Sequence, residues 1–209
     1  MKTLLAATAA VLLISACGAD DGSTTATDPA GAGATTPAAP AAVPAAPGTV
    51  NTRDLVTVMD TGTPEACLGP VAESYPPQCT GPALAGWDWA DHRQMFEHHG
   101  PARWGTFALT GSFDGSTLTV DSAVPAALYD VAAPVPTVYP TPAGAHTDAE
   151  LLEIQDAVTA ALPGVQTAST DGERVLVDVV YDDGSLQAWA DEEYGKGVVV
   201  VSSLLVDQA

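Results

Sequence analysis

The spacing of apolar residues changes along the chain, and those changes divide it. Residues 3–14 form a nearly continuous apolar run, too short to cross a bilayer comfortably. Residues 18–48 show no period. Ala, Thr, Pro, Gly, Ser and Asp supply almost all of this stretch, and Val43 is its one large apolar side chain. It cannot bury enough surface to offset chain entropy, so it is expected to stay disordered. A period of two begins near Thr49. Val56 and Val58 predict a strand ended by Asp60-Thr61-Gly62, and Leu84-Ala85-Gly86-Trp87 predicts a short one. Phe107, Leu109 and Gly111 alternate with Ala108 and Thr110, and Leu118 and Val120 alternate with Thr117, Thr119 and Asp121. Phe113-Asp114-Gly115-Ser116 between them is a hairpin signal. Turn formers fill the gap before these strands: Gly69-Pro70, Tyr75-Pro76-Pro77 and Gly81-Pro82. Short strands with Gly and Pro turns predict a small antiparallel barrel or sandwich. The expectation for residues 49–124 is an OB-like barrel.

Residues 125–144 are Pro-rich and read as a linker, with an edge strand over Val135 to Tyr139. The period then becomes helical. Thr147-Asp148-Ala149-Glu150 is a capping box, in which the Thr hydroxyl accepts from the third helical amide and the Glu reaches back. Leu151, Ile154, Val158 and Ala161 share one face, and Pro163-Gly164 ends the helix. Strands follow over Val165 to Ala168 and through Val175, Val177 and Val179, where Leu176 and Val180 make the second face partly apolar too. Ser185 is expected to cap a second helix carrying Leu186, Trp189, Ala190 and Glu193 in line, ended by Gly195. A strand over Leu186 to Ala190 competes with that reading. Val198 to Leu205 is a final apolar strand. With the linker's edge strand over Val135 to Tyr139 counted ahead of it, the module of residues 145–209 completes a βαββαβ order, the ferredoxin-like arrangement. The fold class is therefore α+β: a small barrel followed by an α/β module.

Charge narrows the function classes. Six basic residues face 26 acidic ones, a net charge of −20. A nucleic-acid partner needs a basic footprint, which this chain lacks. Anionic lipid head groups repel such a chain as well. Solubility and self-repulsion at a crowded surface account for the acidity without a ligand.

The N-terminal run gains meaning from its flanks. Lys2 precedes it, and Ile14-Ser15-Ala16 places small residues just before Cys17. This is secretory signal anatomy, and it resembles the lipobox of bacterial lipoproteins. The resemblance implies cleavage after residue 16, a diacylglycerol group on Cys17, and Cys17 as mature N-terminus on the extracytoplasmic face of the cell membrane. Lipid, rather than charge, is then the membrane partner. Residues 17–48 become a tether, about 30 Å long as a flexible coil and about 95 Å as extended polyproline. Lipidation of Cys17 leaves Cys67 and Cys79, an even pair in an oxidising compartment where bonding is expected. Closing so short a loop contributes about 3 kcal/mol in the chain-entropy account. The spacing is not CxxC, which argues against a redox or metal pair.

Cys67-Leu68-Gly69-Pro70, Pro76-Pro77-Gln78-Cys79, Gly86-Trp87-Asp88-Trp89 and Tyr194-Gly195 resemble a set of uncharacterised secreted proteins of high-GC Gram-positive bacteria. The likeness covers Cys67 to Trp89 and Asp178 to Val201. It implies the same compartment and disulfide and carries no mechanism.

Three constellations have chemical potential. Asp91, His92, Glu97, His98 and His99 fall close together. On a helix His92 and His99 would share a face, so these histidines are candidate ligands for a transition metal. The alternative is a solvated loop before Gly100-Pro101, and the spacing is not HExxH. Trp87, Trp89 and Trp104 with Tyr75 are candidates for stacking on sugar rings or a partner's hot spot, with burial in the barrel the competing reading. Asp182-Asp183 and Asp191-Glu192-Glu193 offer oxygen ligands for calcium but lack the alternating loop pattern. GxSxG and SxxK are absent, and no Gly-rich phosphate loop follows a strand. The resulting expectation is a non-enzymatic envelope protein without cofactor, binding an envelope protein or glycan. Metal binding through His92, His98 and His99 is the alternative, and an envelope hydrolase ranks last.

Overall fold

A computed structural model describes residues 38–130 and 136–208. Cys17, the signal segment, the tether through residue 37 and Val135 lie outside the described residues. Among the described residues no helix is long and apolar enough to cross a membrane. The described residues belong to one compact unit.

Five strands close a barrel: β2 (Val56–Asp60), β3 (Pro64–Cys67), β4 (Ala83–Ala85), β6 (Ala102–Phe113) and β7 (Thr117–Pro125). β2 pairs antiparallel with β3, and β3 with β4. β4 runs parallel to β7, which pairs antiparallel with β6, and β6 returns to β2. Short β1 (Thr49–Thr52) extends this sheet along β6, and β5 (Glu97–His99) pairs with the start of β6. Alternation sends Val56, Val58, Phe107, Leu109, Phe113 and Leu118 inward, all buried in one core. Closure demands close backbone approach where the register shifts between Thr110 and Gly111. A Cβ on Gly111 would collide with the Thr119 carbonyl, so a side chain there has no room. The expected hairpin joins β6 to β7. Asp114 Oδ1 accepts from the amides of Ser116 and Thr117, and Gly115 takes a positive φ of 99°. Those donors hold the Asp114 carboxyl below its ordinary range.

The second sheet has three strands, ordered β10 (Val199–Ser203), β9 (Val175–Val179), β8 (Val165–Thr170). α1 (Asp148–Ala161) carries the complete capping box at Thr147 and buries Leu151 and Val158. α2 (Ser185–Tyr194) buries Leu186, Trp189 and Ala190. Its capping differs from the expectation. Gly184 is the N-cap and Ser185 the first helical residue, while Asp182 supplies the acceptor for the amides of Leu186 and Gln187. The carboxylate reaches two amides that a serine hydroxyl at the next-but-two position does not reach.

The ferredoxin-like arrangement is corrected in two respects. That arrangement splits its parallel pair with another strand, whereas β9 and β10 are direct neighbours joined through α2. Residues 136–140 carry no strand; prolines at 136 and 140 remove donors that a ladder needs. The final apolar run is also divided. β10 ends at Ser203, and β11 (Leu205–Asp207) then pairs with β1 of the barrel sheet. Gln187 covers the open side of β10, its amide donating to the Val199 carbonyl and accepting from the Val201 amide. This blunts a strand edge that would otherwise invite pairing.

The packed chain begins earlier than residue 49. Ala39 packs on the second core and Val43 and Ala46 on the first. The Ala46 amide donates to the Phe113 carbonyl at 2.9 Å. The short apolar side chains in this Ala/Pro stretch suffice to dock it, so the end of the expected tether is part of the fold.

Candidate functional site

The barrel has two distinct ends. At the hairpin end, the chain at Val43 passes over Gly115 and against Gly164. At the other end, the carboxylate of Asp60 closes the mouth. Asp60 is 3% exposed. It accepts from Trp89 Nε1, Arg103 Nη2 and the Gly62 amide, each at 2.8 Å. The Arg103 guanidinium lies 5.7 Å from the Trp89 ring centroid. A buried carboxylate is tolerable when charged and neutral donors surround it in this way. The sequence read Asp60 only as a strand terminator; nothing in its spacing shows that Trp89 and Arg103 converge on it.

The tryptophans separate by environment. Trp89 is buried in the mouth. Trp87 is half-buried beside it, edge-on to Trp89 and Phe107, with its indole N–H buried and without a partner among the described residues. Trp104 is buried outside the barrel wall, in a small second layer with Met59, Ala102 and the Cys67–Cys79 disulfide. Register explains this. Met59 lies opposite both Glu65 and Trp104, and Thr57 opposite Cys67, so these side chains share the outer face. The disulfide loop folds over that face. Tyr75 at the loop's tip is 66% exposed and meets Trp104 and His99 edge-on at 5.3 Å each.

The histidines do not converge. His92 ends a short 3-10 turn over Trp89–His92 and stacks on Trp87 at 4.3 Å. His98 and His99 lie on β5, where alternation points them to opposite sides. The helix that would have aligned His92 with His99 is absent because the chain turns at Gln94, which has a positive φ of 69°. Among the described residues, no group of three or more His, Cys, Asp or Glu side chains is placed to hold a metal ion. The acidic turns are occupied by amides. Asp182 and Asp183 accept from the first turn of α2, and Asp191 accepts from Gln187 Nε2 and the Gly197 amide.

The outer face under the disulfide loop holds a cleft of about 570 Å³. Thr61 and Thr63 from the β2–β3 turn, Glu65 from β3, and Gln78 and Thr80 from the loop line it, over Met59. Glu65 also takes a hydrogen bond from the Gly81 amide at 3.3 Å, which ties the returning loop to the strand. The lining offers hydroxyl, amide and carboxylate groups and no basic side chain. Such a surface suits a neutral or cationic polar partner and repels phosphate. No protein-family model, no curated protein and no solved structure matches this chain.

Proposed function

We propose that this chain is a lipid-anchored, extracytoplasmic protein without enzymatic activity, which presents the Asp60 end of an OB-like barrel to another envelope component. One observation carries the reading: the N-terminal segment docks at the barrel end opposite the candidate surface. The Asp60 level and Phe113 stand ten residues apart along β6, about 30 Å at the rise of a strand. A chain held through its N-terminal segment therefore turns the Thr61–Gly62–Thr63 turn, the disulfide loop and Tyr75 away from its point of attachment.

The OB-like reading rests on strand order. Consecutive β2, β3 and β4 lie side by side, β4 runs parallel to β7, and β6 closes the ring on β2. Barrels of this kind bind ligands across the face of their second and third strands and the turn between the first and second. The Thr61–Thr63–Glu65 cleft occupies that region. Fold alone does not set activity, so the partner must be found. The test is in-cell cross-linking and pull-down, comparing the native chain with Cys17→Ala. The expected result is an envelope component recovered from the native chain and lost in Cys17→Ala and in Tyr75→Ala. Recovery that ignores both changes, or turnover of a substrate by the purified chain, would overturn the reading.

A further inference from the structure

A second cleft lies far from the barrel mouth, on the sheet face opposite the helices. Register puts Thr167 and Ser169 of β8, Leu176 and Asp178 of β9, and Val200 and Ser202 of β10 on that face. Val175, Val177, Val179 and Val199 point the other way and are buried against α1 and α2. The turn between β1 and β2 lays Arg53 across the polar face. Its Nη1 donates to Asp178 Oδ1 at 2.8 Å, and its Nε donates to Asp54 at 3.2 Å. Thr167 donates to the other Asp178 oxygen at 2.8 Å. The chain at Thr137 to Tyr139 forms a third wall, and the open cleft between them has a volume of about 550 Å³. Tyr139 is held in place by its neighbours: the Arg174 guanidinium stands 5.6 Å from its ring centroid, and Arg174 also donates to the Pro140 carbonyl.

Part of the hydrogen-bonding inventory of this cleft is unspent. Among the described residues, the hydroxyls of Thr137, Tyr139, Ser169 and Ser202 and Nη2 of Arg53 make no hydrogen bond to protein. Small-molecule pockets are ordinarily apolar with a few polar groups; this one reverses the proportion, so its ligand must itself be polar throughout. Charge narrows the class. The one cation in the cleft is countered by Asp178 and Asp54, and the whole chain carries −20, which disfavours an anion. A polyol hydroxyl both donates and accepts. It can therefore satisfy Asp178 and Arg53 together without parting them, while the tyrosine ring offers an apolar face to its C–H groups.

We infer that the cleft formed by Arg53, Tyr139, Ser169, Asp178 and Ser202 binds a neutral mono- or disaccharide. The site stands apart from the barrel end and does not depend on the partner proposed there.

The test is saturation-transfer NMR on the purified chain with glucose, galactose, arabinose, N-acetylglucosamine and trehalose, and with glucuronate as the anionic counterpart. At least one neutral sugar should receive transfer. Tyr139→Ala and Ser202→Ala should each weaken binding at least about fivefold, the effect of about one net hydrogen bond. Tyr75→Ala at the barrel end should leave it unchanged. These positions are on the surface of the cleft, and circular dichroism identifies any variant that fails to fold; Ser169→Ala then replaces it. Absence of transfer to every neutral sugar, transfer to glucuronate alone, or transfer that persists in both variants overturns the inference. None of those results touches the pull-down at the barrel end.

Discussion

Tyr181 shows how one side chain joins two parts of the fold. It lies two residues past the end of β9, yet it is 1% exposed in the barrel core, edge-on to Phe113. Its hydroxyl donates to Asp207 of β11 at 3.0 Å. Burial first, and then the bond and charge of Asp207, push the phenol up from 10.0 to about 12. The sign follows from which form folding favours. The folded state holds the phenolic proton more tightly than the unfolded chain, so this stabilisation is complete below pH 10 and is lost as pH rises toward 12. Tyr181→Phe should cost about 1 kcal/mol near neutrality, the value of one hydrogen bond. It should also remove part of the alkaline loss of stability. Urea midpoints at neutral pH and across the alkaline range test both. A variant that declines as steeply as the wild type would show that Tyr181 does not carry that titration.

At the scale of elements, the disulfide loop is a layer rather than a link. Cys67 is buried with Met59 and Trp104 on the outer barrel face, and the bond to Cys79 pins the loop that covers them. Replacing both cysteines by serine should cost about 3 kcal/mol from chain entropy, which lowers the midpoint of thermal unfolding by about 6–12 °C in a domain of this size. It should also open the Thr61–Glu65–Gln78 cleft and expose Trp104, read as increased quenching of tryptophan fluorescence by acrylamide. An unchanged midpoint would mean the loop is held by its contacts alone. Local chemistry was legible in the sequence. The Thr147 capping box, the Asp114-Gly115 hairpin, the cysteine pair and the strand alternation of Val56, Val58, Phe107 and Leu109 all involve residues near one another in the chain, or a period that burial enforces. What was illegible is long-range. Alternation along β6 sets Trp104 on the face opposite Phe107, Leu109 and Phe113, but that Met59 and the disulfide loop bury it there emerges only from the pairing of β2 with β6 and the closing of the loop. Asp60, Trp89 and Arg103 are far apart in sequence and meet only when β2 and β6 pair. The histidines were close in sequence, but a turn at Gln94 replaced the helix that their alignment required.

Across the whole molecule the chain passes repeatedly between its two cores. Two adjacent strands of the small sheet each feed the barrel core with the residues that follow them: Val180 and Tyr181 after β9, and Leu204 and Leu205 after β10. The Leu204 and Leu205 amides donate to the carbonyls of Val179 and Val180, while the Leu204 carbonyl accepts from Arg53 of the barrel. The docked N-terminal segment repeats the pattern, with Ala39 on one core and Val43 and Ala46 on the other. A chain that crosses between cores this often couples their unfolding, because opening one strips partners from the other. Leu205 at 0% exposure belongs to the barrel core, and Leu151 at 0% exposure belongs to the helical core. Leu205→Ala and Leu151→Ala should each cost about 2–5 kcal/mol. If the cores are coupled, calorimetry shows one transition in the wild type, and each change moves that same transition downward. Two transitions, with each variant shifting a different one, would instead make the barrel and the helical layer separate domains joined by passive strands. The single-transition outcome has a functional consequence. A saccharide held between β8, β9, β10 and Arg53 would then stabilise the barrel as well, because ligand binding raises the stability of whatever unfolds together with its site.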